Sequence, residues 1–226
     1  MALPPSPVRG ARLARLGGLY AIVGGADPLG QARAALDGGA RVVQLRVKDT
    51  PSGQVLALAK ALVALAAGRA LVIVNDRADL AVLAGADGVH VGEEDLPVAA
   101  ARAVVGADRL VGRSTRTLAD AEAALRDGAD HVGFGPVFAT GSKAIEAPPR
   151  GLAMLGEVAR ALPAPVVAIG GIDLATIGEV AAAGAAAAAV IGGIFGGGEP
   201  RERAAALALA FEAGRGSRPP PRPEAP

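Results

Sequence analysis

The sequence predicts a single α/β domain, a (β/α)8 barrel of the TIM type, and three observations lead to that prediction. Four segments repeat one pattern, a Gly-Ala pair followed by a short apolar run, beginning at Gly39, Gly85, Gly128 and Gly184. A further strand-like run lies in each interval between them, and another precedes the first. Helical stretches separate these runs, so that eight strands alternate with helices along a chain of about 200 residues, as in a compact barrel.

The strands can be predicted in chain order from their apolar runs. In each repeat the glycine suits the left-handed C-cap of the preceding helix, and the apolar run suits a buried parallel strand. Pro51, Pro97 and Pro163 mark helix edges. The strand-like runs are Leu19–Val23, 39–45, Leu71–Val74, 85–91, Arg109–Gly112, 128–134, Pro165–Ile169 and 184–191, and helical stretches between them include Gln54–Ala67, Leu118–Arg126 and Leu152–Leu162.

A doubly wound sheet is the alternative fold, but that fold typically has a glycine-rich, dinucleotide-binding turn after its first strand. The segment Gly24–Pro28 is a poor dinucleotide loop. In a barrel, catalytic residues lie at the carboxyl ends of the strands, which tells us where to search for them.

Three regions are expected along the chain: an N-terminal extension at 1–17, the barrel at 18–213, and a disordered Pro/Arg-rich tail at 214–226. Both ends are rich in proline and lack an apolar anchor, so neither is expected to pack. The N-terminus does not resemble a signal peptide, and the apolar stretch Val180–Ile194 is interrupted by glycines and too short to span a bilayer. A cytoplasmic protein without a membrane partner is expected.

Composition excludes several classes of function. The 226 residues carry 23 Lys and Arg against 22 Asp and Glu, a net charge of +1, and only 2% are aromatic, so nucleic acid is not an expected partner. The absence of cysteine excludes disulfides, thiolate metal sites and cysteine nucleophiles. The two histidines, His90 and His131, are expected to be structural, and no serine lies in a nucleophile-elbow setting.

Polar residues alternate at the end of the second strand. Gln44, Arg46 and Lys48 share one face, which is expected to point into the barrel mouth, while Val47 faces the helices. Two cations and an amide that converge at this point need an anion. The alternative is that the two cations pair with carboxylates at the rim.

Carboxylates follow the next two strands. Asp76 comes directly after the third strand and Asp95 lies shortly after the fourth, and such a pair suits Mg²⁺, which prefers oxygen ligands and keeps several waters. Beside the cationic second strand, the pair suggests a metal ion and a polyphosphate. Helix capping is a compatible alternative for both residues.

The remaining strand ends carry groups suited to phosphate binding. The fifth strand is followed by Ser114, and the sixth by a loop with hydroxyls, glycines and Lys143. Glycine pairs follow strands seven and eight, where barrels of this type often bind phosphate through backbone N–H groups.

These strand ends, in this order, resemble the thiamine-phosphate synthase (thiamine-phosphate pyrophosphorylase) family, which is related to thiazole tautomerase. The resemblance covers residues 18–213. It is carried by the segments QLRVK, VNDRADLA, GADGVHVGEEDLP, GRSTRT, GADHVGFGPVFATGSK, PVVAIGGI and AVIGGIF.

The resemblance implies a Mg²⁺-dependent transferase that joins 4-amino-2-methyl-5-hydroxymethylpyrimidine pyrophosphate to thiazole phosphate and releases pyrophosphate. It assigns the pyrimidine substrate to Gln44, Arg46, Lys48, Asn75, Ser114 and Lys143, with Arg46, Lys48 and Lys143 stabilising the leaving group. It assigns Mg²⁺ to Asp76 and Asp95. It assigns thiazole phosphate to Thr140, Ser142, Gly171, Ile191 and Gly192.

The chain departs from the usual pattern of the family at several positions. At five positions this chain has a residue that differs from the one usual in the family. They are Val47 in place of Glu, Glu93 in place of Gln, Arg116 in place of His, Ala139 in place of Pro and Gly192 in place of Ser. Glu93 adds negative charge close to the expected metal, and Gly192 loses a hydroxyl but keeps its N–H.

Two other functions remain open. The segments Gly112–Ser114 and Gly193–Phe195 resemble those of thiazole tautomerase, an isomerase. That family, however, typically relies on a His at the position of Arg116, and it usually lacks an aspartate at the position of Asp76. The third possibility is a barrel that binds a phosphorylated ligand without turnover. The sequence gives no oligomeric state.

Overall fold

A computed structural model describes residues 6–140 and 148–217 of the chain. Its eight strands are all parallel and close into a barrel in the order β1 to β8, which confirms the predicted fold and excludes the doubly wound sheet. The strands are β1 (Gly18–Val23), β2 (Val42–Leu45), β3 (Leu71–Asn75), β4 (Gly88–Val91), β5 (Leu110–Thr115), β6 (His131–Phe134), β7 (Val166–Ile169) and β8 (Ala187–Val190).

Helices follow the strands and cover the outside of the barrel. Within the described residues they are α1 (Pro7–Arg15), α2 (Pro28–Asp37), α3 (Ser52–Ala66), α4 (Ala78–Ala84), α5 (Val98–Val105), α6 (Leu118–Arg126), α7 (Gly151–Ala161), α8 (Ile177–Ala182), α9 (Gly192–Phe195) and α10 (Pro200–Gly216). The four repeat glycines have φ values of +92°, +73°, +100° and +106°, the left-handed region predicted for them at helix ends.

Side chains alternate strictly between the barrel interior and the helices. The lower interior is a buried apolar cluster that includes Tyr20, Val42, Leu71 and Leu110, while the intervening residues of each strand pack against the helices. Towards the carboxyl ends of the strands, the interior becomes polar and carries Gln44, Asn75, His90 and Ser114. This polar layer positions the candidate site.

The expectation that the N-terminus does not pack is wrong from Pro7 onwards. Ser6 caps α1 by accepting a hydrogen bond from the Arg9 N–H, and Leu13 and Leu16 pack against the lower interior cluster of the barrel. Arg12 Nε lies 2.8 Å from Asp87 Oδ1 and Arg9 Nε lies 3.4 Å from Asp130 Oδ1. The helix therefore lies against the amino-terminal end of the barrel, where its arginines pair with one half-buried and one buried carboxylate.

The predicted start of the C-terminal tail is also wrong. The last helix, α10, continues through Gly214 to Gly216, which the sequence analysis placed in the tail. Residues 218–226 lie outside the described residues.

Candidate active site

Gln44 lies deeper in the barrel than the sequence analysis placed it. It points inward, as its alternation predicted, but it is 4% exposed, and its Nε2 donates to the Tyr20 hydroxyl at 2.7 Å. Burial raises the pKa of Tyr20 well above its usual value, so the hydroxyl stays protonated. Tyr20 was not among the predicted site residues, although its inward position in β1 follows from the same alternation.

The structure brings Asp76 and Asp95 into hydrogen-bond contact at the barrel mouth. Burial, the hydrogen bond to Asp95 and repulsion by its charge raise the pKa of Asp76 to about 6, while Lys48 and Arg46 lower it in part. The two predicted carboxylates and the two predicted cations therefore face one another, although they come from three different strand ends.

The backbone fixes both carboxylates. Asp76 has a left-handed φ of +62°, a conformation that Asp tolerates better than most residues, and its N–H donates to the His90 carbonyl at 2.8 Å. Asp95 Oδ2 accepts from the Gly92 N–H at 2.7 Å. Neither residue caps a helix, because Arg77 and Pro97 occupy the N-cap positions of α4 and α5, so the capping alternative is excluded.

This donor set fits Mg²⁺. The described residues contain no group of three or more His, Asp or Glu side chains that could hold a metal. Burial and the neighbouring Asp95 both disfavour the charge on Asp76. A divalent cation bound between the two carboxylates would relieve their repulsion, with water and substrate oxygens completing its coordination. The residues that would hold the ion are Asp76 and Asp95.

A cavity of about 270 Å³ opens beside Asp76. Arg77 also lines it but is occupied, because its Nη2 lies 2.6 Å from Asp79 Oδ2 and its Nη1 donates to Ser52 Oγ at 2.7 Å. The free cation facing Asp76 within this described lining is therefore Lys48. The lining residues are Leu45, Val47, Lys48, Asp49, Thr50, Val55, Asn75, Asp76 and Arg77.

Ser114 and His90 meet inside the mouth. His90 Nε2 and Ser114 Oγ are 3.0 Å apart, so His90 holds the hydroxyl that the sequence analysis assigned to the pyrimidine. His90 was predicted to be structural, and its contact with Ser114 was not predicted, although the alternation of β4 places His90 on the inner face.

His131 lies next to His90, with ring centroids 5.9 Å apart. It is fully buried, and burial lowers its pKa to about 4, with partial compensation by Asp130. The imidazole is therefore neutral at ordinary pH. Neither ring nitrogen forms a hydrogen bond within the described part of the chain.

The predicted thiazole-phosphate residues lie at the opposite side of the mouth. Gly171 and Gly192 are exposed and Ile191 is half-buried, and no loop hydrogen bond between described residues uses their N–H groups. Gly171 has a φ of +63°, and a Cβ there would overlap the Ala139 carbonyl, so glycine is required at this close approach.

The other predicted residues are divided between the described and undescribed parts of the chain. Asn75 ends β3 and lines the cavity, and Thr140 is half-buried after β6. Ser142 and Lys143 lie outside the described residues.

Two of the departures from the usual pattern contact each other. Arg116 Nη1 lies 2.9 Å from Glu93 Oε2, so the extra negative charge near the carboxylate pair has a cationic partner. Val47 packs against the α3 side as predicted, but it is half-buried rather than buried.

No helix in the described ranges, 6–140 and 148–217, is long and apolar enough to cross a membrane.

Comparisons with known proteins agree with this arrangement. A family model described as thiamine monophosphate synthase matches residues 19–194. The thiamine-phosphate synthase of Anaeromyxobacter dehalogenans (strain 2CP-C) is 63% identical over 218 residues, which cover 96% of this chain and 98% of that protein. The thiamine-phosphate synthase of Myxococcus xanthus (strain DK1622) is 50% identical over 179 residues, covering 79% of this chain and 82% of that protein. The solved structure of thiamine phosphate pyrophosphorylase from Pyrococcus furiosus superposes with a TM-score of 0.82 at 32% identity, covering 89% of this chain and 98% of that one.

Proposed function

Because this chain belongs to the thiamine monophosphate synthase family, we propose that it joins the hydroxymethylpyrimidine pyrophosphate to thiazole phosphate, giving thiamine phosphate and pyrophosphate. The observation that carries this proposal is the contact between Asp76 and Asp95, opposite Lys48 and Arg46. Paired carboxylates and paired cations at one barrel mouth suit a pyrophosphate that binds together with Mg²⁺. The cytoplasm is part of the proposal, since charged phosphorylated substrates do not cross membranes unaided.

The leaving group is a pyrophosphate whose charge grows as its bond to carbon breaks. Arg46 and Lys48 stabilise that charge from the β2 end of the mouth, and Lys143, a residue known here only from the sequence, is proposed to assist. Mg²⁺, held by Asp76 and Asp95, supplies further charge neutralisation to the phosphate oxygens when it is bound.

The pyrimidine is proposed to lie over the polar layer of the barrel. Ser114 and Asn75 offer hydrogen-bonding groups there, and His90 orients the Ser114 hydroxyl through their 3.0 Å contact. Gln44 supports this layer from below through its bond to Tyr20. These contacts hold the reacting methylene carbon towards the open mouth.

The thiazole phosphate is proposed to bind across the mouth. The N–H groups of Gly171, Ile191 and Gly192 are free of loop hydrogen bonds among the described residues, so they suit phosphate oxygens. Thr140 and Ser142 are proposed to add hydroxyl contacts. The loss of the Ser hydroxyl at Gly192 leaves the N–H contribution intact.

No protein nucleophile is needed. The bond between the methylene carbon and the pyrophosphate oxygen breaks with its electron pair on oxygen, and the thiazole nitrogen donates the pair that forms the new bond. The protein contributes orientation and electrostatic stabilisation.

Thiazole tautomerase activity is the second candidate function, favoured by the Gly112–Ser114 and Gly193–Phe195 segments. Against it, Arg116 occupies the position where that family relies on a His, and it is paired with Glu93. Asp76, which that family tends to lose, faces Asp95 here.

The test is a measurement of pyrophosphate release by the purified protein. Release is expected only when the pyrimidine pyrophosphate, the thiazole phosphate and Mg²⁺ are all present, and thiamine phosphate should form in equal amount. Omission of each component is the control. If no pyrophosphate is released but thiazole phosphate tautomers interconvert, the second candidate is correct. If neither reaction occurs, both catalytic candidates are refuted, and binding of a phosphorylated ligand without turnover is the function left to test.

A further inference from the structure

Arg113 connects the end of β5 to the loop that carries Asp95. The alternation of β5 places Ser114 in the mouth and Arg113 on the other face of the strand, where it is half-buried. Its Nη1 donates a charge-assisted hydrogen bond to the Gly92 carbonyl. Gly92 is the first residue after β4.

Gly92 is in turn bonded to Asp95 in both directions. Its N–H donates to Asp95 Oδ2 at 2.7 Å, and its carbonyl accepts from the Asp95 N–H at 3.3 Å. A Cβ at Gly92 would lie 2.9 Å from the same Oδ2, so the carboxylate occupies the space that a side chain at position 92 would need. The position of the Asp95 carboxylate therefore follows the position of Gly92.

The loop has little other local support. The next helix, α5, begins at Val98 after Pro97 with no side-chain cap. Besides Asp76, which contacts Asp95 itself, the described side chains that bind the loop from outside through a hydrogen bond or ion pair are Arg113, at the Gly92 backbone, and Arg116, at the exposed Glu93 side chain. Of these, the Arg113 bond is the one that reaches the residue holding Asp95.

We propose that Arg113 is a positioning residue, which holds Gly92 so that the Asp95 carboxylate stays against Asp76 in the geometry needed to bind a divalent cation. This inference rests on the proposed function, because it takes Asp76 and Asp95 as the metal ligands. Residues that orient a ligand without touching the metal typically change metal affinity by 10- to 100-fold when they are replaced.

The experiment compares Arg113→Met with Arg109→Met. Arg109 precedes β5 at the other end of the barrel, and its Nε also donates to a backbone carbonyl, that of Ala86, at 3.1 Å. Both variants therefore lose an Arg-to-carbonyl bond, but only one of these bonds lies at the mouth. Arg113→Lys keeps the charge and serves as the conservative variant.

Mn²⁺ binding, measured by electron paramagnetic resonance on the full-length protein without substrates, is the first readout. Arg113→Met should weaken Mn²⁺ binding by about tenfold or more, Arg113→Lys by less, and Arg109→Met not at all. In the assay, Arg113→Met should raise the Mg²⁺ concentration needed for half-maximal rate while kcat at saturating Mg²⁺ changes little. Equal Mn²⁺ affinity in Arg113→Met and the wild type would overturn the proposal.

Hydrogen exchange of the segment 92–97 is the second readout and needs no metal. Exchange should accelerate in Arg113→Met and stay unchanged in Arg109→Met, with thermal melting as a check that both variants fold. If the wild type binds no Mn²⁺, the metal assignment of the proposed function fails, and faster exchange in Arg113→Met would still show that Arg113 holds the loop. Unchanged exchange in that variant would refute the positioning role on its own.

Discussion

Arg116 and Glu93 form an ion pair across two neighbouring loops of the barrel mouth, with 2.9 Å between Nη1 and Oε2. In the sequence, the two residues are separate departures from the usual family pattern. The structure shows that the charge of one is compensated by the other, since the loops after β4 and β5 are adjacent. The backbone at Arg116 is held by α6, whose N-cap Thr117 and Asp120 form a capping box.

Replacement of Arg116 by Gln should leave the Glu93 charge unpaired near the pyrophosphate site. We expect the KM for the pyrimidine pyrophosphate to rise about two- to fivefold with little change in kcat, because an exposed ion pair contributes about 0.2–1 kcal/mol. The double variant Glu93→Gln/Arg116→Gln should return the KM to near the wild-type value. If the double variant is as impaired as Arg116→Gln, Arg116 acts on the substrate directly rather than through Glu93.

Replacement of Asp76 by Asn removes one of two charged ligands from the proposed Mg²⁺ site. Turnover should fall by orders of magnitude and the Mg²⁺ requirement should rise, because few protein ligands remain. Asn tolerates the left-handed backbone at this position, so the fold should be kept.

The melting temperature of Asp76→Asn without Mg²⁺ should be no lower than that of the wild type at pH 8. Partial burial and the neighbouring Asp95 raise the pKa of Asp76 to about 6, so its ionised form is disfavoured in the fold. Asp79→Asn is the control, since Asp79 pairs with Arg77 and not with Asp95. Wild-type turnover in Asp76→Asn would remove the metal assignment.

Val47→Glu tests the outward face of the strand end. Val47 is half-buried and lines the cavity beside Lys48, so a Glu there can reach water and a cation, and the loss of unfolding free energy should be about 1 kcal/mol. Val43→Glu is the matched comparison, because Val43 lies on the same face with 0% exposure and should lose several kcal/mol. Equal losses in urea unfolding would show that the partial exposure of Val47 has no energetic effect.

His131 should make the protein less stable in acid. Its pKa is about 4 in the folded protein against the ordinary histidine value of 6.5, so the unfolded chain binds more protons between these values. Its contribution to stability is complete above pH 6.5 and is lost as the pH falls towards 4, by up to about 3 kcal/mol.

Replacement of His131 by Phe removes this titration. Urea unfolding of His131→Phe at pH 7 and at pH 4.5 should show a smaller loss of unfolding free energy on acidification than the wild type shows. Parallel pH dependences in the two proteins would mean that His131 is accessible to protons in the folded state.

The N-terminal helix shows where local sequence patterns stop being informative. Residues 7–15 carry arginines and few apolar residues, a composition that suggests a solvated segment. Their partners are carboxylates of the repeated Gly-Ala-Asp segments, and Asp87 is 75 positions away from Arg12. Each of these aspartates also accepts from a neighbouring strand, Asp87 from the Val72 N–H and Asp130 from the Val111 N–H. Such pairings exist only once the barrel has closed.

The sequence by itself determined the barrel, the strand order and which face of each strand points inward, because hydrophobic periodicity and helix-ending glycines are local properties of the chain. Through the resemblance, it also predicted Asp76, Asp95, Lys48 and Arg46 as one site, and the structure brings these residues together.

Only the tertiary structure decided how deep each residue lies and what it contacts. In the structure, Gln44 lies below the mouth and donates to Tyr20, and His90 contacts Ser114. Glu93 pairs with Arg116, and Arg113 donates to the loop that carries Asp95. The physical reason is that strand tilt and register bring residues from different strands to the same level of the barrel. No periodicity within one segment carries that information.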